Sequence, residues 1–173
     1  MEIKTIKIFY QNIKFFLKLS LLSIALGILS LGILLPVFQT GFGYIFSRFY
    51  NSESVYYKDI FKFINKTLLL VILWLLLMII FIISVAGIFL PVFVIAFLMF
   101  SPYILVYEDV GILEAMRRSC EIVIKNGFMK HIAISIILII VFLISLMPMG
   151  LGLFFTFPLI GGYIGLLYEK SKL

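Results

Sequence analysis

Apolar and charged residues are segregated along the 173-residue chain. The charged residues fall in four clusters, which run from Glu2 to Lys18, Arg48 to Lys66, Glu108 to Lys130 and Glu169 to Lys172. Between these clusters lie three stretches without a charge, 19–47, 67–107 and 131–168, which are 29, 41 and 38 residues long. Because one membrane crossing takes roughly 20 apolar residues, this pattern predicts transmembrane helices joined by charged segments.

The second and third stretches are too long for a single crossing. A straight helix of 41 residues would be about 60 Å long, twice the roughly 30 Å hydrocarbon core. Glycine and proline allow or force a turn, and they occur near the middle of both stretches, as Gly87 and Pro91 in one and as Pro148, Gly150 and Gly152 in the other. Each stretch therefore predicts a helical hairpin.

The first stretch fits either one long crossing or two short ones. Gly32 and Pro36 favour a turn in its middle. Two crossings also keep all four charged clusters in the cytoplasm, in agreement with the positive-inside tendency. We predict an all-α integral membrane protein with six transmembrane helices, arranged as three hairpins, and with both termini cytoplasmic. A re-entrant second helix, which leaves four full crossings and a half-hairpin, is the alternative.

The amino-terminal lysines also invite comparison with a signal peptide. The apolar run from Leu19 to Phe38 is longer than the roughly 7–15 residues of a signal peptide's apolar region, and no A-x-A cleavage site follows it. We therefore expect an uncleaved membrane anchor.

An internal repeat is predicted within a single membrane domain that covers 1–173. The segments 32–38, Gly-Ile-Leu-Leu-Pro-Val-Phe, and 87–93, Gly-Ile-Phe-Leu-Pro-Val-Phe, agree at six of seven positions. The repeats would span about 1–50, 51–107 and 108–173. Chance similarity in so apolar a composition is the alternative explanation.

Each repeat opens with a stretch in which apolar residues recur every three or four positions, and this spacing predicts an amphipathic interfacial helix. In the first repeat the apolar stripe is Ile3, Ile6, Tyr10, Ile13 and Leu17, and the polar stripe is Lys4, Lys7, Gln11, Lys14 and Lys18. In the second, the stripes are Tyr56, Ile60, Phe63 and Ile64, and Lys58, Asp59, Lys62 and Lys66. In the third, they are Ile112, Leu113, Met116, Cys120, Val123 and Ile124, and Glu114, Arg117, Arg118, Glu121 and Lys125.

Capping residues and ion pairs refine the ends of these helices. The predicted N-caps are Asn51 or Ser52 for the second helix and Asp109 for the third. Asn126-Gly127 predicts the end of the third helix. Two ion pairs at i,i+4 spacing are also expected on the third helix, Glu114 with Arg118 and Glu121 with Lys125.

Composition supports a membrane protein and suggests its partners. With 64% hydrophobic and 13% charged residues, so short a chain could not bury its apolar surface in water. This excludes a soluble enzyme and a nucleic-acid-binding domain. The net charge of +6 predicts attraction to anionic lipid headgroups. The candidate contacts for lipid or a partner are Lys4, Lys7, Lys14, Lys58, Lys62, Arg117, Arg118 and Lys125. A solvated face that only terminates each hairpin is the alternative interpretation.

The sequence offers little for catalysis. The three apolar stretches contain no charged residue, whereas pumps and intramembrane enzymes usually need ionisable groups at membrane depth. The single cysteine, Cys120, and the single histidine, His131, give no metal-binding spacing, and no nucleotide motif occurs. We therefore expect no catalytic residue, cofactor or metal.

The leading hypothesis is a non-enzymatic membrane protein that binds lipid, a membrane protein partner or a second copy of itself. The alternative is a small transporter or channel for a neutral or amphipathic solute, lined by Gln39, Thr40 and serines.

Several short motifs occur in a recognisable order along the chain. They are Ser101-Pro102-Tyr103, the acidic pair Glu108-Asp109, Glu114-Ala115 with Ser119, and Pro158 followed by Tyr168. This order resembles uncharacterised prokaryotic integral membrane families related to the membrane domain fused to some glycerophosphodiester phosphodiesterases. The resemblance covers roughly 30–169. It implies a six-helix protein of the cell membrane, of unknown function and without catalytic residues, so we expect no phosphodiesterase activity.

Overall fold

The structure, a computed structural model, describes residues 2–84, 90–146 and 152–171. In this part of the chain the protein is all-helical, with 85% helix and no strand. The α-helices are α1 (Glu2–Gln11), α2 (Ile13–Leu29), α3 (Leu35–Tyr50), α4 (Thr67–Ser84), α5 (Leu90–Leu98), α6 (Ser101–Tyr107), α7 (Ile112–Lys125), α8 (Phe128–Leu146) and α9 (Leu153–Ser171). Two short 3-10 helices, Tyr57–Phe61 and Ile64–Lys66, precede α4. The all-α prediction is confirmed.

Among the described residues, three segments are long and apolar enough to cross a membrane, Tyr57–Ser84, Leu90–Tyr107 and Phe128–Ser145. Their surfaces fit lipid, because α4 and α8 leave rows of large apolar side chains exposed, among them Leu68, Ile72, Ile83, Ile140 and Leu143. Exposed apolar patches of this extent are unfavourable in water. The structure therefore supports a membrane protein, while the number of crossings and the side of the termini stay predictions.

The turn predicted in the first apolar stretch is confirmed. Helix α2 ends at Leu29, Gly32 adopts a positive φ of 86°, and α3 restarts with Pro36 in its first turn. Gly87, Pro148 and Gly150 lie outside the described residues.

The chain divides into two compact units. The first comprises Met1–Thr67 with Phe142–Leu173, and the second comprises Leu68–Val141. In the first unit α3 packs most extensively against α9, and it also contacts α1, α2 and the first 3-10 helix. In the second unit α7 packs against α5 and α6.

Helices α3 and α9 run parallel in a fixed register. Three of the contacts between them, Gln39 with Gly161, Gly43 with Gly165 and Ser47 with Glu169, span the same 122 positions. Successive contacts are four residues apart on both helices, which is about one helical turn. The carboxyl ends of α3 and α9 therefore lie side by side.

Glycine makes this close packing possible. A Cβ atom on Gly165 would lie 2.5 Å from the Cα atom of Gly43, and one on Gly161 would lie 2.8 Å from the carbonyl oxygen of Gln39. Gly161 and Gly165 are four residues apart, so both face α3 as a small-xxx-small pair. The sequence analysis did not predict which helix α9 contacts.

The amphipathic segment of the second repeat is helical, as predicted, but an α-helical geometry for it is wrong. Two 3-10 helices replace it, because the segment is fastened to its neighbours on both sides. The side chain of Ile60 is fully buried, and its carbonyl group lies against Gly41 of α3. The Asp59 carboxylate accepts a 2.8 Å hydrogen bond from the backbone N–H of Tyr56.

The N-caps predicted at Asn51 or Ser52 and at Asp109 are also wrong. Asn51 is the C-cap of α3, and Gly111 rather than Asp109 precedes α7. Ser52 and Asp109 instead adopt positive φ angles of 59° and 55° in turns. The predicted end of the third amphipathic helix is confirmed, since Asn126 is the C-cap of α7 and Gly127 has a φ of 98°.

The apolar stripe predicted for the first repeat is displaced. Ile6 and Tyr10 are exposed, whereas Phe9 and Phe16 are buried and stack with ring centroids 5.4 Å apart. The buried stripe therefore passes through Phe9 and Phe16, on both sides of the break at Asn12 that separates α1 from α2.

We predict that Gly165→Ala lowers the thermal stability of the protein. Its methyl group would meet the backbone of Gly43, which cannot move aside without separating the helices. Overpacking of this kind costs about 1–3 kcal/mol. The melting temperature of purified protein in mild detergent measures the effect.

The matched control is Gly111→Ala, because a Cβ atom on Gly111 meets nothing within 4 Å. It should change the melting temperature little. Equal melting temperatures for both variants would contradict the close α3–α9 contact.

Candidate membrane-interface site

Basic and tyrosine side chains cluster where α3 and α9 end, and they form what we call the basic patch. Its members are Tyr44, Arg48, Tyr50, Tyr56, Lys58, Lys62 and Lys170. The parallel register brings the two helices' contributions together, so that the Lys170 ammonium lies 5.2 Å from the centre of the Tyr50 ring. All these residues belong to the first compact unit.

Cations lie over the tyrosine rings of the basic patch. The Lys62 ammonium is 5.8 Å, and the Arg48 guanidinium carbon 5.7 Å, from the centre of the Tyr44 ring. The Lys58 ammonium is 5.6 Å from the centre of the Tyr56 ring. Such contacts orient the cations weakly, by about 0.5–1 kcal/mol each at exposed sites. Tyrosine with lysine is typical of a membrane–water interface.

The acidic groups around the basic patch are already engaged. The Arg48 guanidinium forms ion pairs with Glu53 at 3.0 Å and with Asp59 at 3.3 Å. The Ser47 hydroxyl donates a hydrogen bond to the Glu169 carboxylate. Within the described parts of the chain, neither Lys58 nor Lys62 forms an ion pair. Both exposed lysines therefore keep their charge for an external anion.

The structure brings one of the amino-terminal lysines towards this patch. The Phe15 ring stacks on the Tyr57 ring at 4.7 Å, so the start of α2, with the exposed Lys14, lies beside the 3-10 helix that carries Lys58. Lys7 is exposed on α1. Lys4 lies in α1, but its side chain is outside the described part of the structure.

The arginines predicted on α7 are tied into a separate ion-pair network. Arg118 pairs with Glu108 at 2.6 Å and with Glu114 at 2.7 Å. Arg117 pairs with Glu114 at 2.9 Å and with Glu121 at 3.2 Å. The predicted Glu114–Arg118 pair is confirmed, whereas Glu121 pairs with Arg117 instead of Lys125.

This network engages both arginines of α7 with carboxylates. Hydrogen bonds from Arg117 and Arg118 hold the pKa of Glu114 at about 2, below its ordinary 4.5, so this carboxylate stays ionised near neutral pH. Both arginines form ion pairs with neighbouring glutamates, whereas Lys125 is an exposed cation. Arg117 and Arg118 are therefore less suited to an external anion than the exposed lysines Lys58, Lys62 and Lys125.

Cys120 has the character of a packing residue. It is half-buried on α7, and burial raises the pKa of its thiol. A thiol with a raised pKa is mostly protonated near neutral pH and is a poor nucleophile.

A second group of polar residues is buried in the second compact unit. Ser101, His131 and Ser135 are fully buried. Within the described residues, the two hydroxyl oxygens and the Nε2 atom of His131 make no hydrogen bond. His131 and Ser135 are one turn apart on α8, and the Phe100 ring meets the His131 ring edge-on at 5.6 Å. His131 was not predicted as part of a solute path, although its i,i+4 spacing to Ser135 is visible in the sequence.

The other polar residues proposed for a solute path are engaged in α3. The Thr40 hydroxyl donates to the backbone carbonyl groups of Pro36 and Val37 at 3.1 and 3.0 Å. Gln39 lies in the contact with Gly161. In the part of the chain that the structure describes, no three His, Cys, Asp or Glu side chains could hold a metal ion.

None of the family models, curated proteins or solved structures compared with the chain matches it. The resemblance to membrane families related to glycerophosphodiester phosphodiesterases therefore stays a hypothesis based on the motifs quoted above.

Proposed function

We propose that the protein is a non-enzymatic, multi-pass protein of a prokaryotic cell membrane, and that its basic patch binds anionic lipid headgroups. The observation that carries this proposal is that the acidic side chains around the basic patch already have partners, whereas two of its lysines form no ion pair within the described residues. Arg48 and Ser47 engage Asp59, Glu53 and Glu169, while Lys58 and Lys62 lie exposed over tyrosine rings.

The proposed topology has three helix pairs whose charged ends share the cytoplasmic side. The parallel course of α3 and α9 supports it, because the second and the last helix of three successive hairpins run in the same direction. Both termini are then cytoplasmic, where basic segments are favoured.

In this proposal the protein is an accessory or membrane-organising component. Each lysine near an anionic surface contributes about 1 kcal/mol of binding free energy, which is enough to concentrate acidic lipids around the basic patch. A partner membrane protein, or a second copy, with an acidic cytoplasmic surface would use the same lysines.

We predict that Lys58→Gln with Lys62→Gln reduces the binding of anionic lipid. Each lysine lost should lower the affinity about fivefold, or by about 1 kcal/mol. Native mass spectrometry of the purified protein, titrated with phosphatidylglycerol and phosphatidylcholine, measures the retained lipid. The charge-preserving variant, Lys58→Arg with Lys62→Arg, is the matched control and should retain wild-type selectivity.

Unchanged preference for phosphatidylglycerol in the glutamine variant would contradict the proposal. Lost recovery of a co-purifying protein, with lipid selectivity unchanged, would instead assign the lysines to a protein partner.

Passage of a small neutral solute is a second candidate function. The unbonded polar atoms of Ser101, His131 and Ser135 favour it, because a polar guest would relieve the cost of burying them. Without ionisable groups beyond His131 at this depth, the guest would be uncharged.

If so, vesicles containing the protein should take up a neutral probe such as glycerol faster than protein-free vesicles, and His131→Leu should abolish the difference. The control is Ser84→Ala, since the Ser84 hydroxyl is bonded to the Phe81 carbonyl group of its own helix. Equal uptake with and without protein, over a panel of neutral solutes, would exclude this function.

A further inference from the structure

The turn between α2 and α3 is covered with exposed apolar side chains. Leu29 and Leu31 are 80% and 92% exposed, and Ile28 and Ile33 are also exposed. Turns that face water usually carry small and polar residues such as glycine, asparagine and serine. The side chains of this turn instead suit hydrocarbon.

The backbone N–H groups of the turn need no water either. Each of the six consecutive N–H groups from Ser30 to Leu35 donates a hydrogen bond within the protein, at 2.7–3.2 Å. Five of them reach backbone carbonyl groups, and the Leu34 N–H reaches the Ser30 hydroxyl oxygen. The next residue, Pro36, has no N–H. An irregular segment in hydrocarbon must satisfy its backbone N–H groups in this way, because lipid offers no partner.

Leu31 adds a conformational argument. Its φ of 51° lies in the left-handed region, which glycine and asparagine adopt more readily than leucine, at a cost of roughly 1–2 kcal/mol for leucine. If the turn faced water, no packing contact of the exposed Leu31 side chain would offset this strain. In lipid the exposed leucine is favoured over a polar residue.

The helices on either side of the turn are too short to reach the far interface. From Lys18, the last charge before the turn, only 11 residues lead to Leu29, a rise of about 17 Å. The 13 residues of α3 from Leu35 to Ser47, before Arg48, rise about 20 Å. The 18 residues of α4 after Lys66 rise about 27 Å, close to the roughly 30 Å hydrocarbon core.

We propose that α2 and α3 form a re-entrant hairpin whose turn lies among lipid acyl chains and whose ends leave the membrane on the side of the basic patch. Of the two topologies considered for the first apolar stretch, this selects the half-hairpin with four full crossings. The inference rests on the membrane location in the proposed function, and it is independent of headgroup binding.

The depth of Leu31 in the bilayer tests the inference. Leu31→Cys in a Cys120→Ser background is labelled with an environment-sensitive fluorophore and reconstituted into vesicles of lipids brominated at different depths. We expect strong quenching by bromine deep in the acyl chains, blue-shifted emission, and no quenching by iodide on either side of the membrane. Ile33→Cys should give the same pattern.

Two further labelling sites separate the possible failures. Ser52→Cys, at the carboxyl end of α3 and exposed, should be quenched by iodide. Ile72→Cys, exposed on α4, should be quenched by deep bromine if the protein spans the membrane at all. Quenching of Leu31→Cys by iodide from the side opposite Ser52→Cys would overturn the re-entrant hairpin. Loss of lipid quenching at Ile72→Cys would overturn the membrane location itself.

Discussion

The contact between α3 and α9 is the interaction on which the functional surface depends. Gly43, Gly161 and Gly165 bring the two helices together in parallel, and the register fixed by these glycines places Tyr50 beside Lys170. Helix α3 also packs Gly41 against the carbonyl group of Ile60, and this contact holds the segment of Lys58 and Lys62 against α3. The position of the basic patch therefore depends on glycine residues, although glycine itself contributes no charge.

Lipid as a solvent imposes the second constraint, since it cannot replace a missing backbone hydrogen bond. At two breaks between helices, a single serine side chain supplies a hydrogen bond to the backbone. Ser30 accepts the Leu34 N–H inside the α2–α3 turn. Ser119 of α7 accepts the Phe100 N–H at 3.3 Å and donates to the Phe97 carbonyl group at 2.6 Å, where α5 gives way to α6. These breaks are thus tolerated inside apolar segments.

Features that depend on local sequence could be predicted. The helical class, the turn at Gly32 and the end of α7 at Asn126 follow from periodicity and turn residues. Features set by distant contacts could not. The spacing of Tyr56, Ile60 and Phe63 fits an α-helix, whereas the structure shows a 3-10 pair packed against α3. For Glu121, the helix spacing favours Lys125, four residues later, whereas the structure pairs it with Arg117, four residues earlier.

Disulfide trapping tests the parallel α3–α9 register most directly. Ser47→Cys with Glu169→Cys, in a Cys120→Ser background, replaces two side chains that are in hydrogen-bonding contact. Mild oxidation in native membranes should join them rapidly within one chain. Ser47→Cys with Phe157→Cys, which lie about three helical turns out of register, should remain reduced. Preferential trapping of the second pair would show that the helices run otherwise and would contradict the account of the basic patch.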